Sequence, residues 1–328
     1  MNTKKLFAVL LAVLLALTVT ACGGNGGDDQ EELLSIGIMQ FMQHAALDDA
    51  TAGFKKALAD NGLIDGVNIR INEQNAQGDT NNCSTIADQF VAENVDLVLA
   101  VATPAAQAMA GKTTDIPILG TAVTDYVVAK LVDSDEVPGG NVSGTSDMNP
   151  VKEQIDLLVE FAPEAKKIGL IYTASEDNSA LQAGLAKDAI EALGLEPVIV
   201  TINNSNDVQQ AVQNIVTRCD ALYVPTDNTM ASAMPIVHSI TVEAKIPVVA
   251  GEYSAVMAGG LATLGITYWD LGYQTGLMAV EILKNGADIS TMSIQWASGF
   301  DYVVNGTVAE ELGIAIPDYL LDFVEMME

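Results

Sequence analysis

The sequence predicts an α/β protein built from two doubly wound, parallel-sheet lobes, with the chain crossing between them three times. Three observations carry this reading. Short apolar runs of strand length alternate with helix-length stretches from Leu33 onward. The alternation restarts after Pro163, as a second lobe requires. A long helical stretch and a strand near the end then have the character of a return to the first lobe.

Each element has its own signal. Ser35–Gln40 reads as a buried strand, and Ala45–Asn61 as a helix with Leu47, Ala50, Phe54, Ala57 and Leu58 inward. Asn61-Gly62 supplies its C-terminal stop. Val67, Ile69 and Ile71 alternate as a strand, and Asn81–Glu93 is helical behind a polar cap. Asp96–Val101 is a continuous apolar run, as expected of a strand covered on both faces. A helix at Ala105–Thr113, strands at Ile116–Gly120 and Val142–Gly144, and a helix at Pro150–Phe161 follow. In the second run, strands at 167–172, 196–200, 221–225, 247–251 and 261–266 alternate with helices at 179–193, 208–218 and 229–244. Asp270–Lys284 is a long helix, and Met292–Ala297 and Phe300–Val304 are strands. Crossings fall near Pro163, Tyr268 and Gly299. The lobes are thus 34–163 with 268–298, and 164–267 with 299–328. Ligands of open parallel sheets bind outside the carboxyl ends of the strands, which here is an interlobe cleft.

Composition bounds the function. The 328 residues are 49% hydrophobic and 17% charged, so a core can form. The 43 acids against 14 bases give a net charge of −29, which repels phosphate backbones and excludes nucleic-acid binding. Two histidines leave little for histidine catalysis or a metal site. No cofactor or metal is expected.

The first 22 residues do not belong to the fold. Lys4 and Lys5 precede an apolar run from Leu6 to Val19, and Val19-Thr20-Ala21-Cys22 ends it with small residues and a cysteine. This is a secretory leader, and it resembles a bacterial lipobox, which implies lipidation of Cys22. Residues 23–33 are a flexible acidic linker. Removing Lys4 and Lys5 takes the charge from −29 to −31, on a body held outside the cytoplasm by a lipid anchor. Cys83 and Cys219 then remain, 136 residues apart, and read as buried free thiols.

Candidate ligand-binding residues cluster at strand ends. Thr103 reads as an N-cap with Pro104 at the first helical position, and the small Ala105 and Ala106 leave their amides approachable by a carboxylate. Thr124 and Asp125, then Ser175, Glu176, Asn178 and Ser179, then Asp227 and Asn228, put polar groups from both lobes around one cleft. Each also suits ordinary helix capping. No lysine or arginine falls in these loops, so phosphates are disfavoured and a zwitterion is favoured. Gln40, Phe41 and His44 form a cleft-edge loop; Glu252 follows a strand, and Tyr268 sits at a crossing. Enzyme motifs fail. Gly111-Lys112-Thr113 lacks the first glycine of a phosphate loop, Gly-x-Ser-x-Gly is absent, and His44 and His238 are the sole triad bases.

The chain resembles a family of ABC-importer substrate-binding lipoproteins that includes tryptophan- and tyrosine-type binders. The resemblance rests on Gly37-Ile38-Met39-Gln40, His44-Ala45-Ala46-Leu47-Asp48, Ala102-Thr103-Pro104-Ala105-Ala106-Gln107, and Ala122-Val123-Thr124-Asp125. It continues through Pro138–Gly144, Ser175–Ser179, Pro225–Thr229, Gly251-Glu252 and Gly265-Ile266-Thr267-Tyr268. It implies a type I periplasmic-binding-protein fold and no enzymatic activity. The expected role is delivery of a small zwitterion, such as an aromatic or other hydrophobic amino acid, to a permease with its ATPase subunit. A monomer is expected. The family commonly has proline where Tyr126 stands, which implies an altered cleft wall. On this reading Thr103 with the amides of Ala105 and Ala106 binds the carboxylate, aided by Ser175, Asn178 or Ser179. Asp227, then Asp125, binds the ammonium, and Phe41 and Tyr268 flank the side chain. A nucleoside, a sugar or another small solute in the same fold, and a ligand sensor for a membrane signalling protein, remain as alternatives.

Overall fold

The computed structural model describes residues 33–327, and the leader, Cys22 and the rest of the linker lie outside them. The first sheet is built by β1 (Leu34–Gln40), β2 (Ile69–Asn75), β3 (Leu97–Val101), β4 (Ile118–Val123) and β5 (Val142–Ser146). Its order is β5-β4-β3-β1-β2, and every neighbouring pair is parallel. Helices α1 (Ala45–Asp60), α2 (Thr80–Glu93) and α3 (Thr103–Ala110) connect these strands. Strands β3 and β4 are wholly buried and β1 is buried but for Leu34, so side chains of both faces enter the core, Ile38 and Met39 among them.

After α4 (Val151–Phe161), the second sheet repeats the pattern with β6 (Lys167–Thr173), β7 (Glu196–Ile202), β8 (Ala221–Val224), β9 (Val248–Ala250) and β10 (Ala262–Gly265). Their order is β10-β9-β8-β6-β7, again parallel. Its helices are α5 (Asp177–Ala192), α6 (Val208–Ile215), α7 (Asn228–Ser232), α8 (Met234–Ala244) and α9 (Tyr253–Met257). Helix α10 (Tyr268–Asn285) returns to the first lobe and lies along α1, and β11 (Gln295–Trp296) joins β5 at that sheet's edge. The chain then crosses back. Strand β12 (Asp301–Asn305) pairs antiparallel with β10, and after α11 (Gly306–Leu312) the short β13 (Val324–Glu325) closes the second sheet.

Four local outcomes differ from the sequence expectation. The first crossing lies at residues 147–150, not near Pro163, because α4 packs on the second sheet. Ile155 and Leu158 are buried with Ile168, Tyr223 and Leu261, and Gln154 accepts from Tyr223 Oη at 2.6 Å while donating to the Leu264 carbonyl at 2.8 Å. Pro163 merely follows the end of that helix. The helix expected over 229–244 is two helices, since Pro235 has no amide hydrogen to continue the ladder and Ala233 leaves the helical region. Helices α9 and α11 have weak apolar periodicity but are capped, Glu252 accepting from the Ser254 amide and Asn305 from the Val308 amide. The strand expected over Met292–Ala297 pairs only at Gln295–Trp296.

The return of α10 depends on missing side chains. A Cβ at Gly272 would sit 1.9 Å from the Ala50 carbonyl oxygen, and one at Gly53 would sit 2.0 Å from the Trp269 carbonyl oxygen. The two helices therefore touch backbone to backbone, which fixes the last long helix on the first lobe. Tyr126, expected on a cleft wall, is instead fully buried in the first-lobe core and donates to the Thr145 carbonyl at 3.0 Å. Cys83 and Cys219 are buried and free, and burial pushes both thiols up to about 11.

Candidate functional site

The carboxyl ends of the two sheets face each other, and their loops meet. His44, at the start of α1, hydrogen-bonds Asn228 Oδ1 of the second lobe at 3.2 Å. Gln107 of α3 donates to Asp177 at 2.8 Å, and Gln182 of α5 donates to Thr124 Oγ1 at 3.5 Å. The lobes are thus closed on each other. Between them lies a narrow polar chamber walled by His44, Leu47 and Asp147 from one side and Asn178, Asp227 and Asn228 from the other, with Glu252 and Tyr268 beside them. It retains about 10 Å³, room for about a single water.

Carboxylates dominate this chamber and the shell around it: Asp147, Asp227 and Glu252 line it, and Glu176 bonds the lining residue Asn228 without lining it. Asp227 caps α7, accepting from the Met230 amide at 2.8 Å, and also accepts from the Thr173 amide at 2.6 Å and the Thr173 hydroxyl at 2.9 Å. Glu176 takes the amides and side chains of both Asn228 and Thr229 at 2.6–3.2 Å. Burial, with Asp227 adjacent, raises Glu176 to about 7, and burial raises Asp227 as well. Asp147, which the sequence did not single out, accepts from Thr124 Oγ1 and Tyr268 Oη, each at 2.8 Å. Burial holds its carboxyl above the usual range, and burial beside Asp147 raises Tyr268 well above its ordinary value. Among the described residues, no lysine or arginine lines the chamber.

Other expected site residues fare differently. Asn178 and Ser179 are buried and donate to the Thr226 carbonyl. Thr103 lines a collapsed recess with Asp125 and Asn178, but it is the first helical residue; Ala102, at φ +85°, is the N-cap. The Ala105 and Ala106 amides both donate to the Ala102 carbonyl at 3.1 Å, so they are engaged rather than open to an anion. Asp125 accepts from the Val128 amide and so closes a local turn. Gln40 is spent inside its lobe on Asp48, Thr51 and the Met42 carbonyl. Phe41 is packed in the first-lobe core and does not line the chamber, while Ser175 is exposed. Three buried polar atoms in this region have no partner: His44 Nδ1, Thr103 Oγ1 and Asn178 Oδ1.

Beside the chamber, and sharing Glu252 and Tyr268 with it, is a larger cavity of about 250 Å³. Ala46 and Asp49 contribute from α1, the crossing segment 265–268 forms its base, and Tyr253, Val303 and Glu325 come from the second lobe. Tyr253 Oη donates to Glu325 at 2.8 Å, which with burial raises the phenol to about 12. Among the described residues no cluster of side chains suits a metal ion, and no helix is long and apolar enough to cross a membrane.

The family model for ABC transporter substrate-binding proteins matches residues 35–326. The chain belongs to this family. Its members are binding proteins, not enzymes, and the architecture is the type I periplasmic-binding-protein fold. A tyrosine-binding protein of Clostridioides difficile is 41% identical over 314 residues, covering 93% of this chain and 91% of the relative. A Streptococcus pneumonia ABC domain solved in complex with L-Trp is 37% identical with a TM-score of 0.86, covering 90% of this chain and all of that one. A Clostridium difficile substrate-binding protein with adhesive properties, solved in its ligand-free, open structure, is 45% identical with a TM-score of 0.69, covering 90% and 99%. Identity and structural agreement therefore run in opposite directions for these two solved relatives.

Proposed function

We propose that this substrate-binding protein is a monomeric, extracytoplasmic lipoprotein, anchored through Cys22, that captures an aromatic amino acid between its lobes and hands it to an ABC permease. The observation carrying the ligand class is the buried set Asp147, Asp227 and Glu252 around a chamber with no lysine or arginine among the described lining residues. Buried carboxylates lacking a cation are costly, and a ligand ammonium supplies one. The orphan Thr103 Oγ1, a hydroxyl free to donate, suits the ligand's carboxylate end, while the orphan Asn178 Oδ1 is an acceptor and suits its ammonium. Asp227 remains the first choice for the ammonium, and Asp147 now takes second place ahead of Asp125, whose carboxylate closes its own turn.

The similarity to a tyrosine-binding and an L-Trp-bound relative supports an aromatic side chain. The lower TM-score against the open, ligand-free relative, despite its higher identity, supports a hinged mechanism with the present structure near the closed end. A ligand closes such lobes only through its greater affinity for the closed state. Isothermal calorimetry and thermal shift against the twenty amino acids test the reading. Micromolar or tighter binding of tyrosine or tryptophan is expected. Failure of every aromatic amino acid to bind or to raise the melting point overturns it.

A further inference from the structure

We infer that the side chain of the captured amino acid enters the 250 Å³ cavity beside the polar chamber, and that the carboxylates on its rim select rings carrying an N–H or O–H donor. This rests on the amino-acid reading given above. The chamber under Asp227 retains about 10 Å³ between polar walls, so it suits a water-sized ammonium group and not a ring. The neighbouring cavity is the one of aromatic size, and the two share the Glu252 and Tyr268 walls. A ligand with its ammonium in the chamber therefore has the larger cavity beside it open to its side chain.

The lining fits such a guest. Ala46, Ile266 and Val303 offer apolar contact, while Asp49, Asp301 and Glu325 stand at the exposed rim as hydrogen-bond acceptors. Burial and the neighbouring Asp48 hold the Asp49 carboxyl above its usual range. Among the described lining residues there is no lysine or arginine, so acidic side chains are repelled and a phenol or indole finds an acceptor. A further acceptor stands behind the wall. Asn149 Oδ1 has no partner at 4% exposure, and it lies 3.5 Å from the position a Cβ would take at Gly265, a residue of the cavity lining. Gly265 has no positive φ, and a Cβ there would meet nothing nearer than 3.5 Å. Backbone and packing both tolerate a side chain at this position, which stands in the cavity lining.

The cavity also belongs to the closed state. Ala46 and Asp49 travel with the first lobe, whereas Tyr253, Val303 and Glu325 travel with the second. A ring that fills it touches both lobes, so it adds selectively to affinity for the closed form.

Calorimetry on the purified full chain with tyrosine, tryptophan and phenylalanine tests this. If the unaltered protein binds none of them, the amino-acid reading fails and takes this one with it. If it binds, Val303→Phe and Gly265→Ala, which narrow the cavity away from the chamber, are expected to weaken tryptophan and tyrosine by about tenfold or more. Binding within twofold of the unaltered protein in both variants overturns the side-chain placement while leaving the amino-acid reading intact. Should Val303→Phe fail to fold, Gly265→Ala carries the test, since its methyl group would make only ordinary van der Waals contacts, none nearer than 3.5 Å. The double variant Asp49→Ala/Asp301→Ala should cut the preference for tyrosine over phenylalanine roughly threefold or more, the worth of one hydrogen bond. An unchanged ratio refutes the donor selection.

Discussion

Replacing Asp227 with asparagine tests the ammonium contact with little change of shape. Alanine would strip three hydrogen bonds, from the Thr173 amide, the Thr173 hydroxyl and the Met230 amide, and would remove the cap of α7. Asparagine keeps an acceptor for two of these donors. Its amide group then opposes the third donor, at a cost of about 1–3 kcal/mol for one buried unsatisfied group. Removing a charge buried beside Glu176 offsets part of that cost, so the variant should fold. Binding responds differently. Truncating one partner of a desolvated charge pair costs about 2–5 kcal/mol, which is roughly a thirtyfold loss of affinity or more. Titration calorimetry with tyrosine and with its des-amino analogue, against both proteins, closes a cycle. The unaltered protein should strongly prefer tyrosine, and Asp227→Asn should discriminate far less. A folded variant that binds tyrosine within twofold of the unaltered protein, or that keeps the full preference over the des-amino analogue, refutes the assignment.

Three further outcomes are expected. Gly272→Ala should lower stability by about 1–3 kcal/mol in a denaturant titration, because its Cβ would lie 1.9 Å from the Ala50 carbonyl oxygen and α10 would have to move off α1. Raising pH should destabilise the ligand-free protein: Glu176 sits near 7 folded against 4.5 ordinarily, so the native state holds the extra proton between those values and stability falls as pH rises through them. A melting temperature that climbs from about pH 5 to about pH 8 contradicts this, and so does a heat of ligand binding that is independent of buffer ionisation enthalpy, since an arriving ammonium should ionise the pair and release protons. His44→Ala removes the contact to Asn228, worth about 0.5–1.5 kcal/mol in the closed form, and should weaken ligand-driven closure, seen as a smaller fall in radius of gyration on adding subsaturating tyrosine in small-angle scattering.

The sequence made the strand–helix alternation legible because parallel strands buried on both faces are rich in apolar residues, as β1, β3 and β4 are, β3 without a break. Caps and prolines were less decisive. Pro163 looked like a boundary, yet lobe membership of α4 was settled by Ile155, Leu158 and Gln154 meeting the second sheet, contacts far apart along the chain. The position of Tyr126 was misread for the same reason: Gly120 and Gly144 make the groove that its ring fills, and neither glycine signals this locally. The strand-end polar clusters did mark the cleft at Asp227, Asn228, Asn178 and Glu252. Asp147 escaped notice because it follows a short strand of serine, glycine and threonine, where an acid looks like a turn residue. The engaged amides of Ala105 and Ala106 depend on the positive φ of Ala102, which no local pattern announces.

The chamber's electrostatics and the hinge are one device. A chain of net charge −29 places Asp147, Glu176 and Asp227 out of water, with burial raising all three. Hydroxyls and amides satisfy these groups, but no lysine or arginine neutralises them among the described residues of the chamber. Closing the lobes without a ligand therefore deepens the burial of acids that prefer water, which favours the open form. An ammonium reverses the sign of that term, and it does so only in the closed form, where Asp147 from the first lobe and Asp227 from the second face the same space. The differential affinity that hinge closure requires thus resides in the acids themselves. An uncharged solute of equal size would lack it, which is why the acid set argues for a zwitterion over a sugar.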